Sequence, residues 1–160
     1  MTKGINRYTF ILIFTSLILL SSCNSNVMYT DAQEMADKNW GLLNIPVFRV
    51  PVADTLNSYN VFFTIRTSST YPFRNIFLFV TTIAPDGNIL SDTLQYYLAD
   101  EKGKWFGKGF GDIHELNLPF KSNVYFPEKG TYQFKIQHGM RVEDLKGVYD
   151  IGLRVEKIGK

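Results

Sequence analysis

Hydrophobic and polar residues alternate along three stretches of the chain, at residues 59–66, 132–137 and 149–156. Alternation with a period of two places apolar side chains on one face of a strand and polar side chains on the other, so each stretch predicts a half-buried β-strand. Phe62 alone interrupts the first pattern. The run 76–80 is apolar at every position, which predicts a central strand covered on both faces.

Turn-forming residues separate these strands from weaker candidates. Pro85-Asp86-Gly87 lies between two strand-like runs and predicts a hairpin turn, and residues 127–130 predict a second one before the strand at 132–137. Pro46 and Pro51 assign their strand to a sheet edge, because proline has no N–H to donate to a neighbouring strand. The weaker strand candidates are residues 45–50, 89–98 and 123–126.

Helical signals are scarce. Residues 31–38 are predicted to form two helical turns capped by Thr30 or Asp31, and residues 143–146 to form one turn before Gly147. About eight strands and little helix predict an all-β fold, an antiparallel β-sandwich of jelly-roll type. We expect it to form a single domain over residues 31–160.

The first 22 residues have the pattern of a lipoprotein signal peptide. Lys3 and Arg7 provide a positive start, and an uncharged, largely apolar run extends from residue 8 to residue 20. As a helix this run would be about 20 Å long, short of the roughly 30 Å needed to cross a bilayer. The run ends in Leu20-Ser21-Ser22-Cys23, which resembles a bacterial lipobox.

We therefore expect cleavage before Cys23 and attachment of lipid to its thiol and its freed amine. Two or three acyl chains hold a protein firmly in a membrane, whereas one holds it marginally. Residues 23–30 would then form the lipidated tether. The alternative is that Cys23 merely adjoins an ordinary cleavage site.

The net charge of the chain changes when the predicted signal peptide is removed. The full chain has 17 Lys and Arg against 15 Asp and Glu, and loss of residues 1–22 removes two bases and no acid. The mature chain then carries no net charge, which argues against a nucleic-acid partner. Asn24 stands where an Asp would favour inner-membrane retention, and the first acid is Asp31. We therefore expect a protein of the outer membrane that faces the periplasm.

Candidate chemistry is sparse. His114 and His138 are the two possible imidazole bases, and neither lies in a recognised catalytic motif. His138 continues the apolar side of the strand at 132–137, so we expect it to point inward, and we expect His114 in a surface loop. One cysteine and no H-E-x-x-H motif leave no basis for a metal site. We expect no catalytic residue, no metal and no cofactor.

A glycine-rich segment with three aromatic residues covers residues 103–112. It lacks the third glycine of a dinucleotide-binding motif and the Gly-Lys-Ser/Thr of a phosphate-binding loop, so we predict a connection anchored by Trp105. Alternatively, Trp105, Phe106 and Phe110 form an exposed platform that stacks on sugars or receives a partner strand. The chain is 15% aromatic, and rings beyond the needs of the core would form a binding face.

Several segments of the body form an ordered set. They are Arg66; Tyr71-Pro72-Phe73-Arg74-Asn75-Ile76-Phe77-Leu78-Phe79; Asp92-Thr93-Leu94 with Leu98-Ala99-Asp100; Gly103-Lys104-Trp105-Phe106-Gly107; Phe126-Pro127-Glu128-Lys129-Gly130-Thr131-Tyr132; and Met140-Arg141 with Leu145-Lys146-Gly147-Val148-Tyr149-Asp150-Ile151-Gly152-Leu153-Arg154. Together with the lipobox at Cys23, this set resembles the gliding-motility lipoprotein family GldH of the Bacteroidota. The resemblance spans nearly the whole chain.

The resemblance implies an outer-membrane or periplasm-facing lipoprotein needed for gliding motility and associated with type IX secretion. Other gliding lipoproteins and proteins of the secretion machinery would be its partners, and the family implies no enzymatic activity and no cofactor. Relatives also occur in bacteria that do not glide. The physical features agree with a structural or assembly component that acts through its surface.

The candidate partner-binding residues are Trp105, Phe106, Arg74 and Arg141. Alternatively, Trp105 belongs to the core and the two arginines pair with nearby acids. Two other functions stay open. A carbohydrate-binding lipoprotein of the cell envelope would show a row of exposed rings, and a periplasmic enzyme would place His114 or His138 beside an acid and a hydroxyl.

Overall fold

The computed structural model describes residues 26–159, and this part of the chain is built almost entirely of β-strands. One turn of 3-10 helix at Ala36–Lys38 is the exception. The strands are β1 (Val27–Glu34), β2 (Asn39–Gly41), β3 (Val47–Val52), β4 (Ser58–Ser68), β5 (Asn75–Ile83), β6 (Ile89–Tyr97), β7 (Lys108–Phe110), β8 (Ile113–Tyr125), β9 (Gly130–His138), β10 (Asp144–Lys146) and β11 (Val148–Lys157). The all-β prediction is confirmed.

The strands form two antiparallel sheets and a two-stranded ribbon. One sheet has the order β1-β11-β4-β8-β7, the other has the order β3-β9-β5-β6, and β2 pairs with β10. Eight strands have six residues or more. Numbered along the chain, these eight follow the order 1-8-3-6 in one sheet and 2-7-4-5 in the other, which is the jelly-roll arrangement. The predicted sandwich of about eight principal strands is confirmed.

The core lies between the inner faces of the two sheets. Alternate residues of β4 and β11 are buried on one side, and alternate residues of β5 and β9 are buried on the other. The strands predicted from alternation are therefore confirmed. Each fully buried aliphatic or phenyl side chain contributes roughly 1.5–3 kcal/mol by leaving water. Large side chains with no exposed surface include Phe48, Phe63, Ile65, Ile76, Leu78, Ile136, Ile151 and Leu153.

Of the edge and turn predictions based on proline, two are confirmed and one is wrong. β3, which contains Pro51, has β9 as its one neighbour among the described strands and is a sheet edge as predicted. The hairpin at 85–87 is also confirmed, because the Ala84 N–H donates to the Asn88 carbonyl at 2.9 Å across it. The second predicted hairpin, at 127–130, is wrong. The segment around residues 127–130 connects β8 to β9, which belong to opposite sheets, so the chain crosses from one sheet to the other here.

Both predicted helical segments are wrong. Residues 31–34, half of this segment, belong to β1, where Asp31 pairs with Leu153 and Gln33 with Ile151, and only Ala36–Lys38 forms a short 3-10 turn. The end of 143–146 forms β10, whose Leu145 is fully buried and pairs with Trp40. In both cases pairing with a distant strand overrides the local signal.

The apolar run 76–80 lies in the middle of its sheet but is not covered on both faces. β5 is flanked by β9 and β6, and Ile76, Leu78 and Val80 point into the core. Phe77 is only half-buried and Phe79 is 46% exposed, because within residues 26–159 no third layer packs on the outer face of this sheet. The prediction of burial on both faces is therefore wrong, and an apolar surface is left facing outward.

The first strand begins at Val27, within the segment 23–30 that was predicted to be a tether. Residues 27–30 therefore pair with β11 and are part of the sandwich, not of a tether over 23–30. The Gln33 side-chain amide also donates to the Val47 carbonyl at 3.0 Å, which fastens β1 to β3 of the opposite sheet. The signal peptide 1–22 and Cys23 lie outside the described residues.

The ribbon of β2 and β10 closes one end of the sandwich, and Gly147 fixes it in place. Gly147 has a φ of +82°, its N–H donates to the Lys38 carbonyl at 2.8 Å, and its carbonyl accepts from the Ser68 N–H at 2.8 Å. A Cβ at this position would lie 2.8 Å from the Cα of Tyr71. The turn therefore requires glycine for both its backbone conformation and its close approach.

We predict that Gly147→Ala lowers the free energy of unfolding by at least about 2 kcal/mol more than Gly103→Ala. Gly103 has a nearly equal φ of +80°, but nothing lies within 4 Å of its added Cβ. The control therefore carries the backbone cost, about 1 kcal/mol, without the clash. Guanidinium unfolding followed by tryptophan fluorescence measures both variants. Equal losses would show that Tyr71 yields to the added methyl group.

Candidate functional site

An apolar groove lies on the outer face of the four-stranded sheet and has a volume of about 570 Å³. Phe77 and Phe79 of β5 and Thr93 of β6 form its floor and one side. Phe73 before β5 and the segment 139–142 after β9 complete it. Three exposed or half-exposed phenyl rings beside a methionine are typical of surfaces that bind other molecules.

The alternation of β5 creates this groove. Because Ile76 and Leu78 are committed to the core, Phe77 must point outward. The Gly139 N–H donates to the Phe77 carbonyl at 2.7 Å, and the Phe77 N–H donates to the Met140 sulfur at 3.3 Å. A Cβ at Gly139 would lie 3.0 Å from the Phe79 ring, so the absence of a side chain lets this ring lie against the backbone.

Arg141 gives the groove its only charge. Its side chain is exposed at the rim, and the other polar residues of the lining, Asn75 and Thr93, are neutral. Within residues 26–159, no carboxylate lies within ion-pair distance of Arg141. The groove therefore combines an apolar floor with one guanidinium group that is available to an anionic or carbonyl partner.

A second cavity of about 320 Å³ adjoins the groove through the cross-strand pair of Asn75 and Tyr97. Arg74 and Phe106 line it, so the structure brings these two predicted residues together. The Arg74 guanidinium carbon lies 5.9 Å from the centre of the exposed Tyr97 ring. Asp100 also lines this cavity, but its Oδ1 accepts two backbone N–H groups of its own loop.

Trp105 has a different position from its neighbour Phe106. Its indole stacks on the His114 ring, with centroids 5.0 Å apart and planes 12° apart, and meets the edge of Tyr71 at 6.1 Å. It packs against the core, whereas Phe106 is 61% exposed and Phe110 is 94% exposed. Trp105 therefore anchors the glycine-rich connection, as one of the two interpretations of this segment predicts.

The Ser69–His114 pair is a structural contact and lacks the third group of a catalytic triad. His114 lies in β8, so its prediction as a surface-loop residue is wrong. Its Nε2 lies 3.2 Å from the Ser69 hydroxyl. The nearby carboxylate of Asp112 does not face the imidazole, because its oxygens accept from the Ser69 N–H and the Tyr149 hydroxyl. A triad needs that acid to orient the histidine.

His138 is buried at the end of β9, as predicted. Its ring meets the edge of Trp40 at 5.5 Å, and neither ring nitrogen makes a hydrogen bond of ordinary geometry. Burial lowers the pKa of His138, and the Trp40 and Glu143 carbonyls and the Asp144 carboxylate offset part of this effect. Burial at this end of the sandwich therefore favours the neutral form of the imidazole.

Two further features concern the described part of the chain only. No group of three or more His, Cys, Asp or Glu side chains is placed to hold a metal ion among residues 26–159. In the same range, the structure contains no helix of sufficient length and hydrophobicity to cross a membrane.

Comparison with known proteins identifies the family. The sequence model of the GldH lipoprotein family matches residues 27–155. The chain belongs to the GldH lipoprotein family. It is 36% identical over 155 residues to the "Gliding motility lipoprotein GldH homolog" of Christiangramia forsetii, covering 92% of this chain and 94% of the relative. It is 35% identical over 153 residues to the "Gliding motility lipoprotein GldH" of Flavobacterium johnsoniae, covering 91% and 94%.

Two solved structures are distantly similar to this GldH-family chain. The latent PorU dimer of Porphyromonas gingivalis matches 82% of this chain and 13% of that chain, at 13% identity and a TM-score of 0.29. Infectious bursal disease virus, strain Gx, matches 82% and 30%, at 12% identity and a TM-score of 0.30. These scores are too low to carry an argument about fold or function.

The family assignment confirms the resemblance found in the sequence, and the structure explains part of it. Arg66 and Asp150 belong to the ordered set, and they form an ion pair on the five-stranded sheet, with Arg66 Nε 2.6 Å from Asp150 Oδ2. The hydrogen bond to Asp150 raises the pKa of Arg66. Asp150 is buried, so this charge requires its partner. The pair joins β4 to β11, and loss of Arg66 would leave the buried carboxylate without its counter-charge.

Most of the groove is not predictable from the sequence patterns. Of its lining only Arg141 was predicted, because Phe77 and Phe79 were expected to be buried and Met140 lies more than 60 residues away in the chain. A usable signal was present: an apolar residue on each face of one strand predicts either a third layer or a surface that binds a partner.

We predict that acidification destabilises this GldH-family fold through His138. The unfolded chain protonates this residue at a pKa of about 6.5, and burial lowers the pKa in the folded state. As the pH falls below about 6.5, the unfolded state takes up a proton that the folded state does not, so the free energy of unfolding falls by up to about 1.4 kcal/mol per pH unit until the folded state is protonated as well. Above that pH both states are neutral and no loss occurs.

Guanidinium unfolding at pH 7.5 and pH 5.5 measures this effect. His138→Phe should reduce the difference between the two pH values, because the ring it introduces does not titrate. The same substitution at His114 is the control and reports what the second imidazole contributes. An unchanged difference in His138→Phe would contradict the assignment.

Proposed function

We propose that this lipoprotein is anchored in the outer membrane through lipid on Cys23, faces the periplasm, and acts as a non-enzymatic structural or assembly component of the gliding-motility apparatus and its associated type IX secretion. Its partners would be other gliding-motility lipoproteins and proteins of the secretion machinery. Membership of the GldH family and the names of its relatives support this role.

The short distance between Cys23 and the fold supports close attachment to the membrane. β1 begins at Val27, only four residues after Cys23. Even a fully extended chain of this length spans no more than about 14 Å. A lipid on Cys23 would therefore hold the sandwich beside the lipid headgroups, where it could contact only partners that also lie near the membrane.

The groove beside Arg141 is the single observation that carries the proposal. Interface energy is concentrated in a few well-packed aromatic and arginine residues surrounded by weaker contacts. The outer sheet face offers Phe79 and Arg141 in one concavity, with Arg74 and Phe106 in the adjoining cavity. The Ser69–His114 pair does not compete with this interpretation, since the nearby carboxylate of Asp112 accepts from the Ser69 N–H and the Tyr149 hydroxyl. Binding through shape and apolar contact is the chemistry that such a surface supplies.

Carbohydrate binding is the alternative. It draws on the exposed rings of Phe79, Tyr97 and Phe106. Sugar-binding shelves require rings arranged side by side on one surface, whereas Phe79 lines the groove and Tyr97 and Phe106 line the adjoining cavity. The protein partner is therefore the better-supported proposal.

We predict that the double variant Phe79→Ser and Arg141→Ala loses partner binding. Cells carrying the full-length lipoprotein are cross-linked, the protein is purified, and the attached proteins are identified. Removal of two hot-spot side chains should lower recovery of gliding or secretion components by roughly tenfold or more, because each such loss exceeds about 1 kcal/mol.

Phe110→Ser is the matched control, since Phe110 is an exposed phenyl ring outside the groove. It should recover partners as the wild type does. Equal recovery by the groove variant, or recovery of only abundant porins by the wild type, would contradict the proposed function. Retention of a glycan by the wild type would favour the carbohydrate alternative.

A further inference from the structure

Most strand edges in this fold are protected against pairing with another chain. Proteins protect such edges with proline, lysine, bulges or very short strands. β3 contains Pro51, β7 has only three residues, and the register of β1 is irregular between Val27 and Tyr29. The part of β8 that extends beyond β7 contains Pro119 and adjoins two register irregularities.

β6 has none of these protections. Its nine residues pair with β5 in unbroken register, and its sequence contains no proline, glycine, lysine or arginine. Ile89 and Leu90 at its start are 63% and 68% exposed. Among residues 26–159, β5 is the one strand that pairs with β6, so the opposite row of backbone N–H and C=O groups faces outward. Such an edge is a template for another strand.

The side chains of β6 hold this edge in a fixed position. Asp92, its one charged residue, is bound by the Lys121 ammonium at 2.8 Å. The Tyr96 hydroxyl donates to the Pro119 carbonyl at 2.8 Å, and burial and the nearby Asp92 raise the pKa of Tyr96 to about 12. Both contacts fasten β6 to β8 of the opposite sheet. An incoming strand would therefore meet a preformed edge without a free charge.

The sequence of β6 is complementary to itself in the antiparallel direction. When Thr93 lies opposite Thr93, no two like charges meet, and exposed apolar residues lie opposite tyrosines. The opposed pairs are Ile89 with Tyr97, Leu90 with Tyr96, Ser91 with Gln95, and Asp92 with Leu94. Aromatic–aliphatic and Thr–Thr pairs are the cross-strand combinations that stabilise antiparallel sheets.

We propose that two copies of this chain pair through β6, with Thr93 at the two-fold axis. The two four-stranded sheets then form one sheet of eight strands. In a two-fold arrangement the same strand supplies both sides of the interface, so each contact occurs twice. A sequence that is complementary to itself therefore favours a second copy over a foreign strand. The groove opens on the outer face of the same sheet, so the pair presents two grooves on one face and can bind a partner at two points. This pairing does not depend on the proposed function.

Cysteine cross-linking in membranes of cells that carry the full-length lipoprotein tests the pairing. Cys23 is the only native cysteine, so wild-type protein is the background control. Thr93→Cys places two thiols opposite each other, at the roughly 4.5–5.5 Å Cα separation that a disulfide accepts. Mild oxidation should convert most of this variant into a disulfide-linked dimer.

Ser91→Cys is the matched control, on the same exposed face of the same strand. In the proposed register its thiol lies opposite Gln95 and about 13 Å from its own copy, so the single variant should stay monomeric. The double variant Ser91→Cys and Gln95→Cys should again form the dimer. A monomeric Thr93→Cys, equal cross-linking by Ser91→Cys alone, or cross-linking of Thr93→Cys to a different protein would each overturn the proposal.

Discussion

Each strand of a two-layer sandwich has two faces, and only one of them can contact the core. β5 is apolar on both, so the choice that buries Ile76 and Leu78 forces Phe77 and Phe79 outward. The hydrophobic effect that builds the fold therefore also creates an apolar outer surface that the fold cannot cover. The groove, its arginine and the unprotected edge of β6 all belong to this one sheet. The opposite sheet instead carries the ion pair of Arg66 and Asp150 on its outer face.

The alternation of apolar and polar residues predicted the long strands, because each of these patterns lies within one short segment of the chain. Alternation identified β4, β9 and β11 because the period of two follows directly from strand geometry. It did not identify β10, where a three-residue strand exists only because Leu145 pairs with Trp40 about 100 residues earlier. The same is true of β1, whose residues 31–34 were predicted as helix and are held extended by β11.

The candidate site was only partly predictable, for a related reason. Arg74, Phe106 and Arg141 stood out as residue types that interfaces favour, and the structure places them in two adjoining cavities. Met140 and Phe79 could not be brought together without the β5–β9 pairing, which joins positions about 60 residues apart. Whether an apolar strand is covered by a second layer depends on the whole fold, and no run of residues contains that information.

The central claim is that a partner covers the outer face of β5 in the cell envelope. Hydroxyl-radical footprinting of Phe79, in intact cells and in the purified lipoprotein, tests this claim most directly, with Phe110 as an exposed reference outside the groove. The account predicts that Phe79 is oxidised in the purified protein and protected in cells, whereas Phe110 is oxidised in both. Equal oxidation of Phe79 in the two samples would contradict it.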